Sequence, residues 1–165
     1  MSEQVVADPL EFARGWKNLH GDIAIAHLGR AREYLASTVG EVHFQLAGYL
    51  NENSEPGLRC QVRGTLKLVC QRCLEAMDYA LEIDVSLLLA SGDLHALAED
   101  DPEAPDRIPM QRDMPVAELV EEEILLTLPM APHHPEGACK SQEQGEIGKL
   151  HPFAALARLK IDKAG

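Results

Sequence analysis

Two cysteines three positions apart, Cys70 and Cys73, form the spacing in this sequence that most clearly suggests chemistry. Two thiolates at such a spacing can supply one edge of a tetrahedral zinc site. The second edge would come from the segment with His133, His134 and Cys139, where His134 and Cys139 complete a Cys3His set and His133 is the less favoured histidine. Four protein ligands leave no open position for water, so this zinc would be structural.

The same cysteine pair also admits a redox interpretation. Redox Cys-x-x-Cys motifs usually begin a helix after a strand, where the helix N-terminus lowers the thiolate pKa. Here the motif lies between two strand-like segments, which favours a metal site. A thiol–disulfide redox protein that uses Cys70 and Cys73 stays an alternative, as does a pair of inert thiols. Cys60 alternates with polar residues and is predicted to be a small buried hydrophobic residue.

Three central segments alternate apolar and polar residues, which is typical of half-buried strands. The apolar positions are Val42, Phe44, Leu46 and Leu50, then Cys60, Val62, Leu66 and Leu68, then Leu81, Ile83, Val85, Leu87 and Leu89. A turn-forming stretch, residues 51–57, connects the first two segments, and the Cys-x-x-Cys motif connects the next two. The prediction is an α+β fold: a small antiparallel meander flanked by helices, with the Cys-x-x-Cys motif at a hairpin tip.

Helical patterns surround these strands. They cover residues 9–17, 28–36, 114–128 (with Pro115 in the first turn) and 151–160. Asp8 and Asp113 are predicted N-caps of the first and third helices, because an aspartate side chain can accept a hydrogen bond from the first helical turn. Pro129 is expected to end the third helix.

The chain of 165 residues is expected to form a single domain over residues 1–165. An acidic mobile loop is predicted at residues 91–112 and a flexible segment at 140–150. From Glu99 to Glu123 there are ten acidic residues against only two arginines. The net charge of −12 argues against a broad basic surface for nucleic acid, and no DNA partner is expected. Because no apolar run is long enough for a membrane span and the N-terminus lacks a secretory signal, we expect a cytoplasmic protein with no membrane partner.

A strip of basic side chains could contact RNA phosphate or an acidic protein. It consists of Arg59, Arg63, Lys67 and Arg72. Cross-strand ion pairs with Glu41, Glu82 or Asp84 are the alternative, which the negative net charge favours.

Catalytic patterns are scarce. The sequence has no nucleophile elbow and no phosphate-binding glycine loop. The run Glu121–Glu123 is interpreted as a solvated helix face, because consecutive helix positions point in different directions. We therefore do not expect an enzyme.

Three segments, in their order and spacing, resemble the bacterial large ribosomal RNA subunit accumulation protein family. They are Leu68–Leu74 with the Cys-x-x-Cys motif, Leu119–Cys139 with an acidic helix before histidine and cysteine, and His151–Lys160. The resemblance implies a role in the synthesis, processing or stability of 23S rRNA, and it implies no catalytic activity. The positions that match the family's pattern are again Cys70, Cys73, His134 and Cys139.

The partner implied by this resemblance is the large-subunit precursor, either a ribosomal protein or 23S rRNA itself. The acidic helix and loop favour a basic partner, since opposite charges accelerate and orient encounter. A general protein-interaction module unrelated to ribosomes is the remaining alternative.

Overall fold

The computed structural model describes residues 4–90 and 106–139, which form a mixed α and β structure. Its strands and helices, in chain order, are β1 (Val5–Val6), α1 (Pro9–Arg14), β2 (Asn18–Ala24), β3 (Leu35–Ser37), β4 (Glu41–Leu50), β5 (Pro56–Val69), β6 (Ala76–Ala90), β7 (Arg107–Pro109), β8 (Met114–Pro115) and α2 (Val116–Thr127). Two short 3-10 helices, Ile25–His27 and Ala31–Tyr34, lie between β2 and β3.

The main sheet is largely antiparallel, as predicted. Strands β4, β5 and β6 pair antiparallel in consecutive order, with Leu46 opposite Cys60 and Val62 opposite Ile83. The order continues outward to β2 beside β4 and to β7 beside β6, while β3 pairs with the far end of β5. Strand β7 runs parallel to β6 and is the exception to the antiparallel pattern. In addition, β1 and β8 form a separate two-stranded sheet.

The predicted alternation separates the two faces of this sheet. Most predicted apolar positions of β4 and β5 are buried, including Val42, Phe44, Cys60 and Val62, although Leu50 is only half-buried, and the polar positions between them are mostly exposed. Helix α2 buries four apolar side chains in the same core, namely Val116, Leu119, Val120 and Ile124. A period-two pattern therefore located the core face of each central strand correctly.

Helix α1 begins as predicted but is shorter. The side chain of Asp8 accepts a hydrogen bond from the Glu11 N–H at 3.0 Å, and Pro9 occupies the first helical position. The helix ends at Arg14, because the chain turns at Gly15 and enters β2. A Cβ atom at Gly48 of β4 would lie 2.4 Å from the Phe12 carbonyl oxygen, so only glycine permits this close contact.

Helix α2 lacks the predicted aspartate cap. It begins at Val116 with Pro115 at the N-cap position, and no side chain caps it. Asp113 has a φ of 53° and its N–H donates to the Ala7 carbonyl. Because the pairing of β1 with β8 holds Met114 and Pro115 extended, the helix cannot begin earlier.

Other expectations are met in part or fall outside the described residues. The helix predicted at residues 28–36 is only the 3-10 helix Ala31–Tyr34. Residues 91–105 of the acidic loop predicted at 91–112 are not described. In the described remainder, Arg107–Pro109 form strand β7, which the sequence did not predict because three residues are too few to show a period-two pattern. The segments 140–150 and 151–160 lie wholly outside the described residues. Among the described helices, none has the length and apolarity that crossing a membrane requires.

Candidate metal centre

Two segments far apart in the sequence meet at the end of the central strands. Residues 70–75 connect β5 to β6, and residues 132–139 follow α2. The Gln71 N–H donates to the Pro132 carbonyl at 2.8 Å, and the His134 N–H donates to the Cys70 sulfur at 3.4 Å. These backbone contacts fix the second segment against the Cys-x-x-Cys turn.

Four side chains converge where the segments meet. Possible ligand atoms of Cys70, Cys73, His134 and Cys139 all lie within 4.8 Å of one another. The distance from Cys70 Sγ to Cys139 Sγ is 3.8 Å. His134 Nδ1 lies 3.3 Å from Cys73 Sγ and 3.8 Å from Cys139 Sγ. The structure thus brings together the four residues that the sequence singled out, with His134 rather than His133.

These separations fit a tetrahedral metal ion. With Zn–S bonds of about 2.3 Å and a Zn–N bond of about 2.0 Å, tetrahedral angles place two sulfurs about 3.8 Å apart and a sulfur and nitrogen about 3.5 Å apart. The Cys70–Cys139 separation of 3.8 Å matches this S···S distance and greatly exceeds the bond of about 2.05 Å in a disulfide. The donor set of three cysteines and one histidine is one that structural zinc sites use.

The turn around the cysteines is closed by its own backbone. The Leu74 N–H donates to the Cys70 carbonyl, and the Cys70 N–H donates to the Glu75 carbonyl, both at 2.9 Å. Leu74 has a φ of 61°, a left-handed conformation that a leucine adopts only at a cost. In the second segment Gly137 has a φ of 80°, which glycine tolerates and which turns the chain toward Cys139.

The surroundings of the cluster shift the pKa values of Cys70 and Cys139 in opposite directions. Burial alone would raise the pKa of Cys70, but hydrogen bonds from the backbone N–H groups of Cys73, His134 and Arg72 lower this pKa to about 5. Burial raises the pKa of Cys139, and the neighbouring Cys70 and Cys73 thiols raise it further. Three thiolates around one point repel each other, so a divalent cation is what would allow all three to be ionised together.

The basic strip is largely neutralised across the sheet. Arg59 forms two hydrogen bonds with Asp84, at 2.8 and 2.7 Å, and Arg63 lies 3.7 Å from Glu82. Lys67 pairs with Asp78, which is not one of the predicted partners, whereas Glu41 pairs with none of the strip residues in the described part of the chain. The hydrogen bonds from Arg59 and Gln61 lower the pKa of Asp84 to about 2. Arg72 is exposed in the Cys-x-x-Cys turn and has no ion pair among the described residues.

The interpretation of Glu121–Glu123 as a solvated face is wrong for two of the three residues. Glu121 is 7% exposed and Glu123 is 6% exposed, while Glu122 is exposed. The Glu121 carboxylate accepts hydrogen bonds from the N–H groups of Arg30 and Ala31, a partner that no local pattern could indicate. Cys60 is fully buried, as predicted.

Comparison with known proteins places the chain in a family. The family described as large ribosomal RNA subunit accumulation protein YceD matches residues 58–160, a range that contains all four cluster residues. The curated protein of this name from Haemophilus influenzae is 26% identical to the chain over 168 residues, which cover 94% of this chain and 95% of that protein. No solved structure matches the chain. The chain belongs to the large ribosomal RNA subunit accumulation protein YceD family.

Proposed function

We propose that the protein is a non-enzymatic ribosome-biogenesis factor that supports accumulation of 23S rRNA, and that a structural zinc ion completes its fold. Membership of the YceD family carries the first part of the proposal. The convergence of Cys70, Cys73, His134 and Cys139 carries the second.

The proposed zinc would join two parts of the chain that already meet through the Gln71–Pro132 and His134–Cys70 hydrogen bonds. One part is the Cys-x-x-Cys tip of the β5–β6 hairpin, and the other is the segment after α2, so zinc would add to the contacts that hold this segment against the sheet. A metal with four protein ligands has no open position, so no hydrolytic role is expected for it. Binding energy of a structural metal contributes directly to folding, because the unfolded chain has no preformed site.

The partner would be the large-subunit precursor, and the place of action the cytoplasm, where bacterial ribosomes are assembled. A net charge of −12 favours a basic ribosomal protein over direct RNA contact through the strip from Arg59 to Arg72. The cross-strand pairing of Arg59, Arg63 and Lys67 supports this order of preference.

The deciding experiment is the ratio of 23S to 16S rRNA in cells that lack the gene. We expect a selective fall in 23S rRNA that the wild-type gene restores. Cys73→Ser and Cys139→Ser should restore it poorly, whereas Cys60→Ala, a substitution of the cysteine outside the cluster, should restore it. An unchanged ratio in the deletion strain would refute the ribosomal role.

Zinc content tests the metal part separately. Protein purified without chelators or metal-affinity steps should contain about one zinc per chain, as a single four-ligand site requires. A content well below this, together with reduction of a test disulfide, would favour the redox alternative, for which the lowered pKa of Cys70 is the one supporting observation. Absence of co-sedimentation with large-subunit precursors would favour an interaction module unrelated to ribosomes.

A further inference from the structure

Trp16 combines an exposed side chain with a backbone conformation that is unfavourable for a bulky residue. It follows the C-cap residue Gly15 of α1, with its N–H donating to the Ala13 carbonyl and the Lys17 N–H donating to the Phe12 carbonyl, both at 3.1 Å. This helix ending normally has glycine at the position of Trp16, because φ is positive there. Trp16 has a φ of 51°, and 60% of the residue is exposed.

Packing in the core offsets neither the exposure of the Trp16 indole nor the strain of its backbone. An indole that is mostly exposed contributes little buried area, and a bulky residue with positive φ is a backbone outlier. Such strained residues concentrate at binding and catalytic sites, where they are kept for function although they lower the stability of the fold. Trp16 is therefore a candidate binding residue, provided that its surroundings form a site.

Trp16 lines a shallow cleft of about 470 Å³ at the end of the sheet, and Tyr49 of β4 supplies its second aromatic ring. Three polar side chains also line it, namely Asn18, Arg59 and Ser86, and Ala47, Gly48 and Leu50 of β4 form the rest. The Tyr49 ring covers Gly57 of the next strand, since a Cβ atom there would lie only 2.5 Å from Tyr49 Cζ. The ring is thus held in place before any ligand binds, which reduces the entropy lost on binding.

The cations around the cleft are already paired. Arg59 forms its double hydrogen bond with Asp84, and Lys17 donates to Glu11 at 2.7 Å. The described lining of the cleft therefore offers no unpaired cation to a phosphate, in a chain whose net charge is −12. Nucleic-acid binding depends on phosphate neutralisation by lysine and arginine, so these charges disfavour RNA here.

The same features suit a cation. An arginine or lysine side chain is attracted to the face of an aromatic ring, and tryptophan is the strongest partner for it. Glu55 lies near enough to Tyr49 for its carboxylate to raise the pKa of the phenol in addition to the larger effect of burial, and Arg107, 3.4 Å from that carboxylate, offsets part of its charge. The net negative charge of the whole chain would also steer a basic partner toward the surface.

We propose that the cleft between Trp16 and Tyr49 binds an arginine- or lysine-bearing segment of a basic protein, with the cation against the indole face. This inference rests on the proposed function, for which it names the chemistry of the partner.

Trp16 is the only tryptophan of the chain, so intrinsic fluorescence reports on this cleft alone. The purified full-length protein would be titrated with a short arginine–glycine peptide, the same peptide with citrulline in place of arginine, and a uridine hexanucleotide. We expect a saturable fluorescence change with the arginine peptide and little change with the other two. An equal response to the citrulline peptide, or a response to the RNA alone, would overturn the proposal.

Variants test the aromatic face directly by anisotropy of the labelled arginine peptide. Trp16→Leu should weaken binding about tenfold, the scale of one desolvated cation–π contact. Trp16→Tyr should retain most of the affinity, because it keeps an aromatic face. Tyr34→Leu is the matched control, since Tyr34 is similarly exposed, at 64%, but does not line this cleft. Equal losses from Tyr34→Leu and Trp16→Leu would overturn the proposal.

The in vitro titration fails or succeeds independently of the cellular experiment. No response to the arginine peptide, in a protein whose gene restores the 23S to 16S ratio, would overturn this inference and leave the proposed function standing. A specific response in a protein whose deletion leaves that ratio unchanged would support the cleft and overturn the ribosomal role. Circular dichroism and zinc content would confirm that each variant is folded.

Discussion

The Glu121 carboxylate accepts a hydrogen bond from the Ala31 N–H at 3.0 Å, and so connects helix α2 to a segment 90 positions earlier in the chain. The same oxygen accepts from the Arg30 N–H at 2.7 Å. Ala31 begins a 3-10 helix whose first N–H groups have no partner within that helix, so Glu121 caps it from outside. One buried carboxylate thereby satisfies two backbone donors and fixes the position of α2.

The loss of stability caused by a substitution of Glu121 should depend on whether the new side chain can still accept these two hydrogen bonds. We expect Glu121→Leu to lower the free energy of unfolding by about 3 kcal/mol, because it leaves two backbone donors unpaired. Glu121→Gln should cost about 1 kcal/mol, since its amide oxygen can still accept but carries no charge. Urea denaturation would measure both, with Glu122→Gln as an exposed neighbour that should change little. Equal losses for Leu and Gln would contradict this account.

The reactivity of the four cysteines should change in steps as metal is removed and the protein unfolds. Burial raises the pKa of Cys60 to about 12, with smaller contributions from Glu123 and Asp84, so Cys60 should not react while the protein is folded. A thiol reagent should therefore modify no cysteine in the metal-bound protein and three after chelation. The fourth should react only in denaturant. Rapid modification of two or more cysteines before chelation would contradict a metal-bound cluster.

The backbone strain at Trp16 can be separated from the loss of its ring. Trp16→Ala and Trp16→Gly both remove the indole, but only glycine adopts the φ of 51° without a steric penalty. We expect Trp16→Gly to be more stable than Trp16→Ala by about 1 kcal/mol in urea denaturation. At Val39, which is exposed and whose φ is not positive, the order should reverse, because glycine there only adds freedom to the unfolded chain. The same order at both positions would argue against strain at Trp16.

Glu123 should make stability depend on pH. Burial raises the pKa of Glu123 above its ordinary value of 4.5, and Asp106 and Glu122 raise it further. A raised pKa means that folding favours the protonated form, so the wild type loses stability as the pH rises above about 4.5 through the folded pKa.

We therefore expect Glu123→Gln to be more stable than the wild type at pH 7.5, with a smaller difference at pH 5.5. Denaturation curves at both pH values, with zinc content verified at each, would measure this. The exposed Glu118→Gln on the same helix serves as the control and should show no such trend. A difference between wild type and Glu123→Gln that grows as the pH falls would contradict the assigned direction.

The sequence by itself determined the features that depend on local spacing. Alternation from Val42 to Leu89 predicted three antiparallel strands and the face that each buries, because side chains of a strand point alternately to opposite sides. The Cys70-x-x-Cys73 spacing, with His134 and Cys139, likewise predicted one cluster, since few donor combinations in the chain could complete a tetrahedral site.

The tertiary structure alone decided what depends on residues distant in the sequence. It buries the Glu121 carboxylate by pairing it with the N–H groups of Arg30 and Ala31, some 90 positions earlier in the chain. It also prevents Asp113 from capping α2, because pairing with β1 holds Met114 and Pro115, the two residues just before this helix, in an extended conformation. Local propensity describes what a segment can form, whereas these outcomes depend on which distant groups pair with it once the chain is folded.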